Sequence, residues 1–127
     1  TLAKSERETM IGEFIIKLLH ARTNAHILHL GTTSFAKHKA LNDFYDEIVD
    51  LVDTLAEAYQ GDYGLITDYP PRYTHFDDGL ELMADLSAWI EKNRHSLWDG
   101  DDSYLENIVD EIVTCIRQTQ YKLRFLK

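Results

Sequence analysis

The chain is poor in the residues that build covalently stapled or metal-stapled folds. Its 127 residues hold one cysteine, Cys115. One cysteine closes no internal disulfide and supplies no zinc-finger set. The expectation for it is a small buried core residue in a reducing compartment. Prolines number two, Pro70 and Pro71, side by side, so a regular helix is forbidden at one place only. No apolar run approaches the roughly 20 residues of a membrane span. The longest, around Ile15 to Leu19, is broken by Lys17, and the opening TLAKSERETM is too polar for a signal peptide. No Gly-rich phosphate loop occurs, and no histidine stands near Cys115 in sequence, so no nucleophilic triad can be argued. Positive charge is also scarce: 13 Lys and Arg face 22 Asp and Glu, a net −9. Such a chain repels a phosphate backbone and lacks the basic stripe of nucleic-acid binders. Without a basic tail beyond this sequence, DNA is not an expected partner, nor is a membrane, and the expected compartment is the cytoplasm.

What is present is enough apolar material, 44% of residues, for one core in one domain spanning residues 1–127. Four helices can be read and no strand. The first opens on Ser5 and Glu8, spaced as a capping box. It carries Met10, Ile11, Phe14, Ile15, Leu18 and Leu19 at helical intervals and stops at Gly31. Thr32, Thr33 and Ser34 are cap candidates for the second, which ends at Gly61. A connection over 62–74 holds both prolines. Thr74 and Asp77 open the third helix, which runs to about His95, and Ser103 with Glu106 caps the fourth. Short turns make each sequential pair an antiparallel hairpin. Helix two is about 40 Å long at 1.5 Å per residue, and the middle connection can just return along it. These lengths favour a ferritin-like all-α four-helix bundle with one long crossover, and a simple up-down bundle also fits them.

Polar residues of two kinds stand out. His26, His29 and His38 bracket the first turn. Asp46, Asp50, Asp53 and Glu57 follow at intervals of four, three and four, on one face of helix two. A solvated acidic face is one reading. The other is a metal site, because imidazole with carboxylate suits iron and related metals. Asp53 and Glu57 lie 15 and 19 residues beyond His38, about 22 to 28 Å along the helix. One chain cannot close such a site, so it would join two chains across a two-fold axis. His29, one turn from His26, is either a further ligand or an orienting partner. His20, His75 and His95 read as surface or helix-end residues, and Trp89 and Trp98 as core or interface aromatics.

The pattern His26, eleven residues, His38, then Asp53, three residues, Glu57 resembles the ferroxidase centre of the Dps family, the small ferritins of bacteria. HKALNDFYDEIVDLVDTLAE resembles that family's second helix and QYKLRFLK the end of its fourth. The texture of SFAKHKAL and EAYQG is most similar to short Dps-like proteins of tailed phages. The resemblance implies iron (Zn or Mn as substitutes) held by His26 and His38 of one subunit and Asp53 and Glu57 of another, with Asn42 and His29 as neighbours. It implies peroxide-dependent Fe(II) oxidation and iron storage in a homo-oligomer, a dimer at minimum and a dodecamer in full, in the host cytoplasm if phage-encoded. Two positions depart from the pattern: Asn42 stands where the family has an acid, and Ile27 where it has an aromatic residue. The alternative expectation is a non-enzymatic structural or interaction protein, of phage type, on the same bundle with a degenerate metal site.

Overall fold

A computed structural model describes residues 3–100 and 102–127. Among them lie four α-helices and no strand: α1 (Lys4–Gly31), α2 (Phe35–Tyr63), α3 (Gly79–Asn93) and α4 (Ser103–Phe125). A single 3-10 turn, Arg94–Ser96, extends α3. The all-α class follows from apolar residues recurring every three to four positions, which bury one stripe of each helix. Phe14 and Leu18 of α1, Ile48 and Leu55 of α2, Met83 of α3 and Ile112 of α4 are fully buried. Cys115 is buried among them at 1% exposure.

Cross-helix contacts set the directions. α1 meets α2 through His29 with His38 and Arg7 with Tyr63, so the two are antiparallel. α1 meets α3 and its flanks through Asn24 with Phe76, Lys17 with Asp85 at 2.5 Å, Phe14 with Trp89 and Arg7 with Asp99. That pair is antiparallel too. α4 opposes α2, with Lys122 against Asp43 at one end and Tyr104 against Asp62 at the other. Helices α2 and α3 therefore point the same way, and residues 64–78 must travel back along the bundle to join them. They do so over α1. Thr9 Oγ1 donates to Asp68 at 2.7 Å, and Gly12 lets the Asp68 carbonyl so close that a Cβ there would stand 1.7 Å from its oxygen. The buried Asn24 donates to the Phe76 carbonyl at 2.8 Å and accepts its N–H at 2.7 Å. Both backbone groups of Phe76 are thus satisfied away from water.

The helix ends differ from the capping expectations at four places. Ser5 and Glu8 form no box: α1 begins at Lys4 after Ala3, which caps without a side chain, and the Ser5 carbonyl accepts Thr9 Oγ1. α2 runs past Gly61 to Tyr63, because Tyr63 stacks on Tyr59 at 4.7 Å, receives Arg7 over its ring and bonds Asp102. Gly64, at φ +95°, ends the helix instead. α3 starts later than Thr74, with Asp78 accepting from the Glu81 N–H, since Asn24 holds Phe76 outside the helix. Ser103 is already helical. Glu106 does not turn back to cap α4 but accepts from Arg94, His95 and Trp98. Ser34, in contrast, caps α2 as expected, accepting from Lys37 N–H at 3.2 Å.

Candidate functional site at the hairpin turn

The α1–α2 turn has no left-handed residue; Thr32 follows α1 in extended conformation, and its N–H donates to Leu28. Helix C-termini leave carbonyls without intrahelical donors, and here a histidine supplies one. His38 Nδ1 donates to the His29 carbonyl at 2.9 Å. Reciprocally, His29 Nδ1 donates to the His38 carbonyl at 2.6 Å. Their rings stack with centroids 3.6 Å apart. A carbonyl only accepts, so both Nδ1 atoms carry hydrogen. His29 is buried at 8% exposure and His38 is half-buried.

His26, exposed, lies flat on Tyr45 at 4.3 Å and edge-on to His29 at 5.9 Å. Tyr45 donates its hydroxyl to Asn42 Oδ1 at 2.6 Å, and Asn42 Nδ2 donates to Asp46 at 3.0 Å. Asn42 thus works as a neutral relay between a phenol and a carboxylate. The three histidines come together with Tyr45 and Asn42, while Asp53 and Glu57 stand exposed further down α2, on the face turned from the core. Among the described residues, no group of three or more His, Cys, Asp or Glu is placed to hold a metal within one chain.

Other chemistry-bearing residues are occupied structurally. Burial, then the neighbouring Glu47, pushes the Cys115 thiol up to about 12, so it stays an inert thiol. Burial together with the bond to Asp102 pushes Tyr63 up to about 12. Arg94 donates Nε to Glu106 at 2.7 Å and Nη2 to Asp110 at 2.6 Å, and Trp98 Nε1 donates to Glu106 at 3.0 Å. This knot fastens the α3–α4 turn. Gly12 and Asn24 are the residues that sequence reasoning passed over, and Glu106 was read as a cap rather than as the centre of this knot; an uncommon glycine and a polar residue within the apolar spacing of α1 were the available signals. Among the described residues, no helix is long and apolar enough to cross a membrane.

An all-α chain of four helices, with no group of three or more His, Cys, Asp or Glu placed to hold a metal among the described residues, is the class that fold and turn define. Within that class the chain belongs to the family of unknown function DUF5856, which matches residues 29–123. It is similar to the uncharacterized 14.6 kDa protein in the mobD-ri intergenic region of Enterobacteria phage T4, at 26% identity over 124 residues, covering 95% of this chain and 93% of that protein. No solved structure matches. The resemblance to the Dps family is thereby overturned: the family that matches is a different one. The ferroxidase centre and twelve-subunit shell lose the ground on which they were expected. Of the two histidines that carried the resemblance, His38 staples the helical hairpin with His29 as its partner, and His26 lies on Tyr45.

Proposed function

We propose that this is a non-enzymatic interaction protein of phage type, a ferritin-like helix arrangement whose working form is a homo-oligomer in the host cytoplasm. The observation that carries the reading is apolar surface at one end of the bundle. Ile27, Leu30 and Phe35 are 47%, 72% and 79% exposed, and Tyr121, Phe125 and Leu126 are exposed at the same end, whereas the other exposed large apolar side chains, Leu65, Tyr69, Tyr73 and Tyr104, lie away from it. Apolar surface gathered in this way marks a protein contact. The relative in phage T4 supports the setting, and the crossover along α1 supports the ferritin-like arrangement. Light scattering from nanomolar to high micromolar concentration tests the reading. A mass above the monomer that falls on dilution is expected, and a monomer throughout rejects it.

One observation favours a second reading, metal binding between chains. Metal-binding histidines usually donate their other ring N–H to a carbonyl or carboxylate, and His38 does so. In that reading His26 and His38 of one chain, with Asp53 and Glu57 of another, would hold iron, or zinc or manganese in its place. Dialysis against Fe(II) and Zn(II), read by elemental analysis for the wild type, His38→Ala and Glu57→Ala, decides it. Equal metal in all three removes the reading.

A further inference from the structure

Charge is sorted along the chain. All 22 acidic residues precede residue 112, whereas Arg117, Lys122, Arg124 and Lys127 follow it. The last 16 residues thus carry +4 against −13 for the rest. On α4 this basic end is also aromatic. Arg117, Tyr121, Arg124 and Phe125 lie at i, i+4, i+7 and i+8, on the side opposite the buried Ile112, Ile116 and Leu123, and all four are exposed. The Tyr121 and Phe125 rings lie 6.0 Å apart.

On α2, Asp46, Asp50, Asp53 and Glu57 lie at i, i+4, i+7 and i+11, again opposite the core side. Among the described residues, neither these carboxylates nor Arg117, Arg124 and Lys127 enter any ion pair. Beside the stripe, Ile27, Leu30 and Val49 line a groove of about 460 Å³, with Asp46 and Asp50 on one wall and Arg22 on the other.

We infer that the basic, aromatic face of α4 docks on the acidic face of α2 in a second copy of this chain. The inference rests on the oligomeric reading above and names its contact. Two helix faces of one molecule are complementary in charge and comparable in length: about 12 Å from Arg117 to Phe125 and about 16 Å from Asp46 to Glu57 at 1.5 Å per residue. Both point outward from the bundle, so neither satisfies the other within its own chain. Phe125 and Leu126 supply apolar surface for the groove beside the stripe. The contact joins two different faces, so it closes a dimer where a two-fold axis makes it twice and propagates into a ring or a filament where it is made head to tail. A nucleic acid or an anionic membrane would also take a basic, aromatic face. A second copy is favoured because the rest of this molecule, at −13, repels phosphate and supplies the matching stripe itself.

The experiment uses the full chain and charge reversal, with circular dichroism and melting to show that each variant folds. Arg124→Glu with Lys127→Glu should shift dissociation at least about tenfold toward monomer in light scattering, as should Asp50→Lys with Asp53→Lys. Mixing the two variants, or placing all four changes in one chain, should restore the mass. Added salt should weaken the wild-type assembly. An oligomer indifferent to both reversals overturns this contact and leaves the oligomeric reading standing. A wild-type monomer overturns both. Loss on reversal without restoration, or retention of RNA or anionic vesicles by the α4 face with no change of mass, also overturns the inference.

Discussion

Replacing Glu106 with glutamine removes one negative charge from the knot that fastens the α3–α4 turn. The carboxylate accepts from Arg94 Nε at 2.7 Å, His95 Nδ1 at 2.9 Å and Trp98 Nε1 at 3.0 Å. These bonds are not of equal weight. The His95 side chain is 80% exposed, and an exposed pair contributes next to nothing. The Arg94 side chain is 18% exposed and Trp98 is 5% exposed. A hydrogen bond to a charged group is worth about 1.5–3 kcal/mol net. Glutamine keeps one carbonyl oxygen, so it can retain one of the two bonds that matter, at neutral strength. The expected loss is about 2 kcal/mol for Glu106→Gln and about 3 kcal/mol for Glu106→Ala, which also leaves the Trp98 N–H unpaired. For a chain of this size that lowers Tm by about 8 °C for the glutamine variant.

The pH dependence gives the same reasoning a second readout. Burial alone would raise the Glu106 carboxyl, but the bonds from Arg94, Trp98 and His95 outweigh it and hold it below its ordinary 4.5. A carboxyl depressed in the folded state contributes stability that is complete above its unfolded value and is lost as pH falls through the folded one. The gap between wild type and Glu106→Gln should therefore be widest at neutral pH and close on acidification below about 4.5. Urea denaturation across that range measures it. A neutral-pH gap under about 0.5 kcal/mol, or one that does not narrow in acid, refutes the account of the knot.

Two further outcomes test how the crossover is held. Gly12→Ala places a Cβ 1.7 Å from the Asp68 carbonyl oxygen; the strain of overpacking, about 1–3 kcal/mol, should exceed the gain of about 1 kcal/mol in helix propensity. Net destabilisation, with faster proteolysis inside residues 64–78, is expected, and a stabilised variant would remove the close approach. Asn24→Ala should cost about 2–3 kcal/mol by stranding both backbone groups of Phe76, read as denaturation and as faster amide exchange at Phe76.

Features written in local chemistry could be read before the fold was known. Ser34 caps α2 because a hydroxyl three residues before a free N–H is a local arrangement. The four-helix pattern followed from apolar spacing in the same way. Ends decided by distant contacts could not be read. Gly61 looks like a stop, yet Tyr63 beyond it is held by Arg7 and Asp102, which are far away in sequence. Ser5 with Glu8 and Ser103 with Glu106 have capping-box spacing, but Glu106 is drawn to Arg94 and Trp98 on the other side of the turn. The histidines show the converse hazard. His38 follows a tight helical turn, a position that suits an iron ligand between subunits as well as a cap on the preceding helix, and here it caps, with His29 rather than His26 as its partner. Spacing alone led to the Dps family, and the family match with the reciprocal His29–His38 bonds corrects it.

The acidic face of α2 is where the readings of this molecule part, and one substitution separates them. Asp46 with Asp50, Asp50 with Asp53, and Asp53 with Glu57 are like-charged neighbours, each pair destabilising the helix by about 0.2–0.5 kcal/mol. In an isolated chain, Asp53→Asn removes two of those repulsions, so the protein should become more stable by about 0.4–1 kcal/mol. If a cationic helix of a second copy lies on the stripe, the same change removes one of four attractive charges. Assembly should then weaken, the weakening should shrink as salt rises, and the dilute monomer should still show the gain in stability. If instead Asp53 is a ligand in a metal site between chains, the variant should lose bound metal, and assembly should become insensitive to a chelator that disperses the wild type. Melting of the dilute monomer, light scattering against salt and light scattering against chelator separate these outcomes. A variant that gains stability and assembles as the wild type does, with and without chelator, assigns the stripe to solvent and rejects both the docking contact and the metal site.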